Sequence, residues 1–142
     1  MIPKTISGKL HKLKSNMSLD KLVRGKVEIA KDEIIVAGKY FGNEINEDIT
    51  ADIIKKINLR CLVVSSINRR VFRLLINIGI PVVICPEAFS QFRGGEKVEI
   101  NLPEGKIISK KTTVKFYPFS DEVMGIIDSG GLIPYTKKNI NR

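Results

Sequence analysis

The sequence predicts an α/β fold, a parallel βαβαβ unit joined to a β-hairpin or barrel-like layer, and three observations predict it. Residues 32–86 alternate short continuous apolar runs with segments whose apolar residues recur at helical spacing, joined by short connections. Residues 94–117 switch to period-two alternation, the pattern of strands with one covered face. A last helical pattern occupies 120–130, and 142 residues suit one domain over 1–142 with one core.

Taken in order, Thr5 to Leu13 alternates as a strand. Glu33-Ile34-Ile35-Val36-Ala37-Gly38 is an apolar run bounded by charge and glycine, as a buried strand requires. Asn46 then suits a helix N-cap, Glu47 and Asp48 its first turn, and Ile49, Ile53, Ile54 and Ile57 its apolar stripe, ending near Asn58. Leu62 to Val64 reads as the next strand. Val71, Leu74, Leu75 and Ile78 repeat at i, i+3, i+4, i+7 and stop at Gly79, and Pro81 to Ile84 is the third strand. Glu96 to Leu102, a turn at Pro103-Glu104-Gly105, and Lys106 to Ile108 form a hairpin, with a further strand over Thr112 to Phe116. Ser120 caps a short helix through Val123, Met124, Ile126 and Ile127, which ends at Ser129-Gly130-Gly131.

Composition narrows the function classes. Lys and Arg number 24 against 15 Asp and Glu, a net charge of +9, so the chain sets up a basic field suited to nucleic acid, an acidic partner or an anionic small-molecule substrate. No apolar run approaches the roughly 18–20 residues that span a bilayer. Met1-Ile2-Pro3-Lys4 has no signal-peptide character, so the expectation is a cytoplasmic protein without a membrane partner. Cys61 and Cys85 each lie inside an apolar run and suit reduced, buried thiols; no metal-ligand spacing occurs.

Few side chains support familiar chemistry. His11 is the only histidine and falls in a strand pattern, which argues against Ser-His-Asp or Cys-His catalysis. The turn Gly38-Lys39-Tyr40-Phe41-Gly42-Asn43 is neither a P-loop nor a dinucleotide fingerprint. Topology instead nominates residues 38–47, because open α/β sheets place ligands at the carboxyl ends of their strands. Asn43, Glu44, Asn46 and Glu47 lie there, although Glu47 and Asp48 are also simply good first-turn residues. Arg69 and Arg73 share a helix face at i, i+4, suited to clamping a carboxylate or phosphate or to an ordinary solvated face.

Several segments, in order and at matching spacing, resemble a known family. Ile35 to Gly42 is similar to its Val-Ala-Gly-x-Asn-Phe-Gly run, and Ser65 to Gly79 to its Ser-Phe-Ala-Arg-Ile-Phe-x-Arg-Asn-Ala-Ile-Asn-x-Gly segment. Gly94 to Leu102 resembles its Gly-Asp-x-Val-Glu-Val-Asp-Leu hairpin, and Ile127 to Tyr135 its closing Ala-Gly-Gly-Leu-x-x-Tyr. The family is the small subunit of isopropylmalate dehydratase and homoaconitase, equivalent to the aconitase swivelling domain. The resemblance covers nearly the whole chain. It implies a swivelling β/β/α domain and an iron-sulfur large subunit as partner, with a [4Fe-4S] cluster there and no cofactor in this chain. Together the pair would hydrate and dehydrate a hydroxy di- or tricarboxylic acid.

The departures fall where the family does its chemistry. After Phe-Gly the family reads Cys-Gly-Ser-Ser-Arg-Glu-His, which supplies a serine base and an arginine for a substrate carboxylate; this chain has Asn43 to Ile49 instead. Ile45 offers no proton-transfer group, and Glu47 stands where a cation would attract the substrate. The family's N-terminal Asp-Thr-Asp-x-Ile-Ile-Pro becomes Ser18 to Arg24 and retains Asp20, while the segment that usually follows, with the substrate-specificity loop, is missing before Asp32. The candidate substrate-binding residues are thus Asn43, Asn46, Asp20 and Arg69, the last matched through Ser66-x-x-Arg69, with Glu47 a relocated general base. Two functional readings follow: a divergent hydro-lyase small subunit with a degenerate catalytic loop, or a non-catalytic module that binds a small acid, a protein or nucleic acid.

Overall fold

The computed structural model describes residues 5–13, 33–39, 41 and 59–140. Among these, seven strands and four helices follow one another: β1 (Thr5–Lys12), β2 (Glu33–Ala37), β3 (Leu62–Val64), α1 (Arg69–Asn77), β4 (Val82–Ile84), α2 (Pro86–Gln91), β5 (Lys97–Asn101), β6 (Lys106–Ile108), β7 (Thr113–Lys115), α3 (Asp121–Asp128) and α4 (Leu132–Ile140). The helix expected over 46–58 lies outside the described residues.

The strands make one mixed sheet in the order β4-β3-β2-β1-β5-β6-β7. β2, β3 and β4 are parallel neighbours, which is the expected βαβαβ half, and β5, β6 and β7 are antiparallel, which is the expected hairpin layer. β1 joins the halves, parallel to β2 with Lys12 in register with Val36 and antiparallel to β5 with Lys9 opposite Lys97. The two regions that differ in sequence period are therefore continuous through the N-terminal strand.

Helices cover the two faces unequally. On one face α1 packs against α3 and α4, and its Val71, Leu75 and Ile76 join Ile35, Ala37, Leu62, Val64, Ile126 and Ile127 in one core. The other face is a second core of Ile34, Val36, Cys61, Val63, Phe92, Val98, Ile100, Ile107 and Val114. Here α2 reaches across, packing on β2, β3 and β7 alike, and the Cys85 thiol donates to the Lys115 carbonyl at 3.7 Å. The sheet thus curls until its outer strands face each other, the barrel-like closure expected of the second half.

Two helices were absent from the sequence expectation. α2 is one and a half turns long and buries only Ala88 fully, too short a stripe for periodicity to reveal; Pro86 starts it, where the missing N–H costs nothing. α4 follows Gly130-Gly131, whose φ of +86° and +136° ends α3 and turns the chain at once into another helix. It packs on α3 so closely that a Cβ at Gly125 would lie 2.8 Å from the Tyr135 ring.

Candidate active site

The carboxyl ends of β2 and β3 form a laced rim. The Ser65 N–H donates to the Ala37 and Gly38 carbonyls, each at 3.3 Å, and the Phe41 N–H to the Ser66 carbonyl at 3.1 Å. The Asn68 N–H returns a bond to the Phe41 carbonyl at 2.9 Å, so Phe41 bridges Ile67 as a one-residue extension of parallel pairing. Phe41 is only 2% exposed beneath this rim and anchors the start of the loop that topology nominated.

Asn68 sets where α1 begins. Its side-chain oxygen accepts from the backbone N–H of Arg70 at 2.9 Å and of Val71 at 3.3 Å, satisfying two of the first-turn donors a helix leaves open. Arg69 is consequently the first residue of α1, at the end of the β3–α1 connection, exposed and one residue from the strand-to-strand lacing. Arg70 and Arg73 are exposed too. Of the candidate residues, the structure places Arg69 at the rim; Asn43, Asn46, Glu47 and Asp20 lie outside the described residues. Exposed Lys39 adds a second cation at the mouth of the loop, a position the sequence reading did not single out. The rim as described can attract an anion.

The remaining reactive side chains are held in structural roles. His11 Nδ1 lies 2.9 Å from Glu33 Oε2 on the neighbouring strand, part-way along the sheet and away from the rim. Burial pushes the Cys61 thiol up to about 12, and burial likewise raises Cys85. Both thiols therefore stay protonated, as weak nucleophiles and poor ligands. Among the described residues no three His, Cys, Asp or Glu side chains converge to hold a metal ion, and no helix is long and apolar enough to cross a membrane.

A curled mixed sheet, with a parallel half that opens on a laced rim and an antiparallel half that closes beneath it, defines a swivelling β/β/α domain. The crystal structure of a 3-isopropylmalate dehydratase from Methanocaldococcus jannaschii has the same fold, with a TM-score of 0.80 over 95% of each chain at 22% identity. No protein-family model matches the chain. The chain is 35% identical to a 3-isopropylmalate dehydratase small subunit of Caldicellulosiruptor bescii over 126 residues, 87% of this chain and 75% of that one. It is 32% identical to the small subunit of a Hydrogenobaculum species over 162 residues, 96% and 98% of the two chains. That alignment is longer than the 142 residues of this chain, so the relative carries residues that are missing here. The chain belongs to the family of 3-isopropylmalate dehydratase small subunits.

Proposed function

We propose that this chain is the small subunit of an isopropylmalate dehydratase-like hydro-lyase, whose large-subunit partner carries the [4Fe-4S] cluster. The observation that carries the reading is identity of 32–35% with named small subunits over most of the chain, combined with a laced rim at the expected end of the parallel strands. An iron-sulfur cluster usually takes three or four cysteine ligands, or two cysteines with two histidines. This sequence has two cysteines, both buried, and one histidine, so its residues do not fit the cluster and the partner is assigned it. The cluster, when bound there, supplies the Lewis acid.

This chain contributes orientation and charge. Arg69 binds a carboxylate of the hydroxy acid, Lys39 raises the local anion concentration, Asn43 and Asn46 offer amide donors, and Asp20 completes the pocket. Glu47 takes the proton in place of the family's serine. The loop is degenerate relative to the family, so turnover is slower or the accepted acid is different, and a chain that has lost turnover altogether is the second reading. The changed loop over Asn43 to Ile49 motivates it.

Anaerobic affinity purification of the tagged chain from its own organism tests the assembly. A stoichiometric iron-sulfur large subunit is expected; a chain that emerges alone overturns the reading. With the reconstituted pair, Glu47→Gln is expected to lower kcat by about 100-fold or more, as loss of a general base does. Unchanged turnover removes Glu47 from the chemistry, and absence of turnover with every hydroxy acid tried establishes the non-catalytic reading.

A further inference from the structure

On the helix-bearing face of the sheet, beyond the part that α1, α3 and α4 cover, residues of the antiparallel half point outward. Lys9 stands directly opposite Lys97. The ladders end at Glu99–Ile108 and Ile108–Thr113, and the Ser109 N–H donates to the Thr112 carbonyl at 2.8 Å, which sets the adjacent Lys110 and Lys111 at the tip of the β6–β7 turn. Lys9 and Lys97 thus face each other at the usual strand spacing of ~4.8 Å, and Lys110 and Lys111 extend this lysine patch around the recess that Lys97 lines.

Lys97, Lys110 and Lys111 line an open recess of about 290 Å³ together with Glu96. Like charges placed opposite one another in a sheet oppose folding, so the fold itself gains nothing from this patch. Two acidic groups near it are already engaged, and Glu99, on the same face two residues along β5, stands between Ser7 and Ile108 and does not line the recess. Glu33, in register with Lys9 on the other side, is paired with His11. The Arg93 N–H, the Ser109 hydroxyl and the charges of Lys111 and Arg93 hold the Glu96 carboxylate below its ordinary range. Three ammonium groups facing one carboxylate leave the recess cationic.

We propose that this recess and the lysines around it form a binding site for an oligophosphate chain. Lysine ammonium groups act as point charges that suit tetrahedral phosphate oxygens, whereas planar carboxylates are best matched by the arginine fork, which no residue lining the recess provides. Cations spread around an open recess suit successive phosphates better than a single compact anion. The site is separate from the rim: Lys9 is level with Glu33 at the start of β2, four residues before Ala37 at its end. Its fate is therefore independent of the hydro-lyase reading.

Titration of the full chain with tripolyphosphate, orthophosphate, citrate and a single-stranded oligonucleotide tests the site. Tripolyphosphate is expected to bind about tenfold more tightly than citrate or orthophosphate. The double variant Lys97→Gln/Lys110→Gln should lose about tenfold of that affinity. Lys106→Gln/Lys115→Gln, which removes the other lysine pair facing across two strands of the same surface, should stay within about twofold. All four positions are at the surface, so a cooperative thermal unfolding transition at or above that of the parent chain verifies that each variant folds. Equal losses in both variants, citrate binding as tightly as tripolyphosphate, or an oligonucleotide that competes and depends on both lysine pairs would each overturn the proposal, the last in favour of a nucleic-acid face.

Discussion

The parallel and antiparallel halves of one sheet obey different residue patterns, and the difference traces to what covers them. β2 and β3 are buried at every position except Glu33, because helices lie on one side and the curl of the sheet on the other. β5, β6 and β7 alternate, with Val98, Ile100, Ile107 and Val114 turned into the second core and Lys97, Glu99, Ile108, Thr113 and Lys115 turned out. A continuous apolar run thus specifies a strand with two covered faces, and alternation one with a single covered face. β1 reads both ways, with Ile6 and Leu10 inward and Ser7, Lys9 and His11 on the other side, which suits its place at the junction.

The sharpest way to break this contrast is one substitution made in each half. Ile35→Ala removes a residue with no exposure from the helix-covered face and should cost about 2–5 kcal/mol, read from urea unfolding. Ile108→Ala, on the open face at 37% exposure, should change stability by about 0.5 kcal/mol or less. A comparable loss at both positions would mean that the open face is covered after all.

Alkaline unfolding probes the enclosed core in another way. The Cys61 pKa is raised to about 12 in the folded chain against 9.0 as its ordinary value. Between these values the unfolded chain has released the proton and the folded chain has kept it, so this contribution to stability is complete below pH 9 and is lost progressively toward pH 12. Cys61→Ala should flatten that decline in a pH series of unfolding free energies.

Smaller effects belong to the boundaries. Asn68→Ala leaves the first-turn donors of α1 without their side-chain acceptor and should cost about 1 kcal/mol, measurable as a shift in Tm. Smallest of all, Lys97→Gln relieves the opposition with Lys9 and should stabilise by roughly 0.2–1 kcal/mol at low salt. The gain should fade as ionic strength rises.

Element types were legible where burial imposes a period. The β2, β3 and β4 runs, the α1 stripe closed by Gly79, the β5–β6 hairpin and the Ser120 cap all follow from residue order, and Ser120 does accept from the Val123 N–H at 3.2 Å. α2 is shorter than the window in which a helical stripe becomes visible, and α4 hides behind two glycines that normally end a helix for good. Of the candidate site, the carboxyl edge of β2 and the place of Arg69 were readable from topology. Lys39 passed unnoticed because a lone lysine in a basic chain carries no signal. The lysine patch was invisible for a different reason. Lys110 and Lys111 are neighbours in the chain, but Lys9 meets Lys97 only through strand register, which depends on a pairing between residues nearly ninety positions apart.

The curl that brings Cys85 to Lys115 also decides how the chain behaves in company. An open sheet ends in two rails of unpaired main-chain groups, to which a second molecule can add its own strand. Here the outermost strands, β4 and β7, have only three residues each; the same helix, α2, lies across the approach between them, and outward-facing Lys115 guards one rail. A subunit of a two-chain enzyme must stay dispersed until its partner is bound. Short edges drawn together beneath one helix leave little template for filament growth.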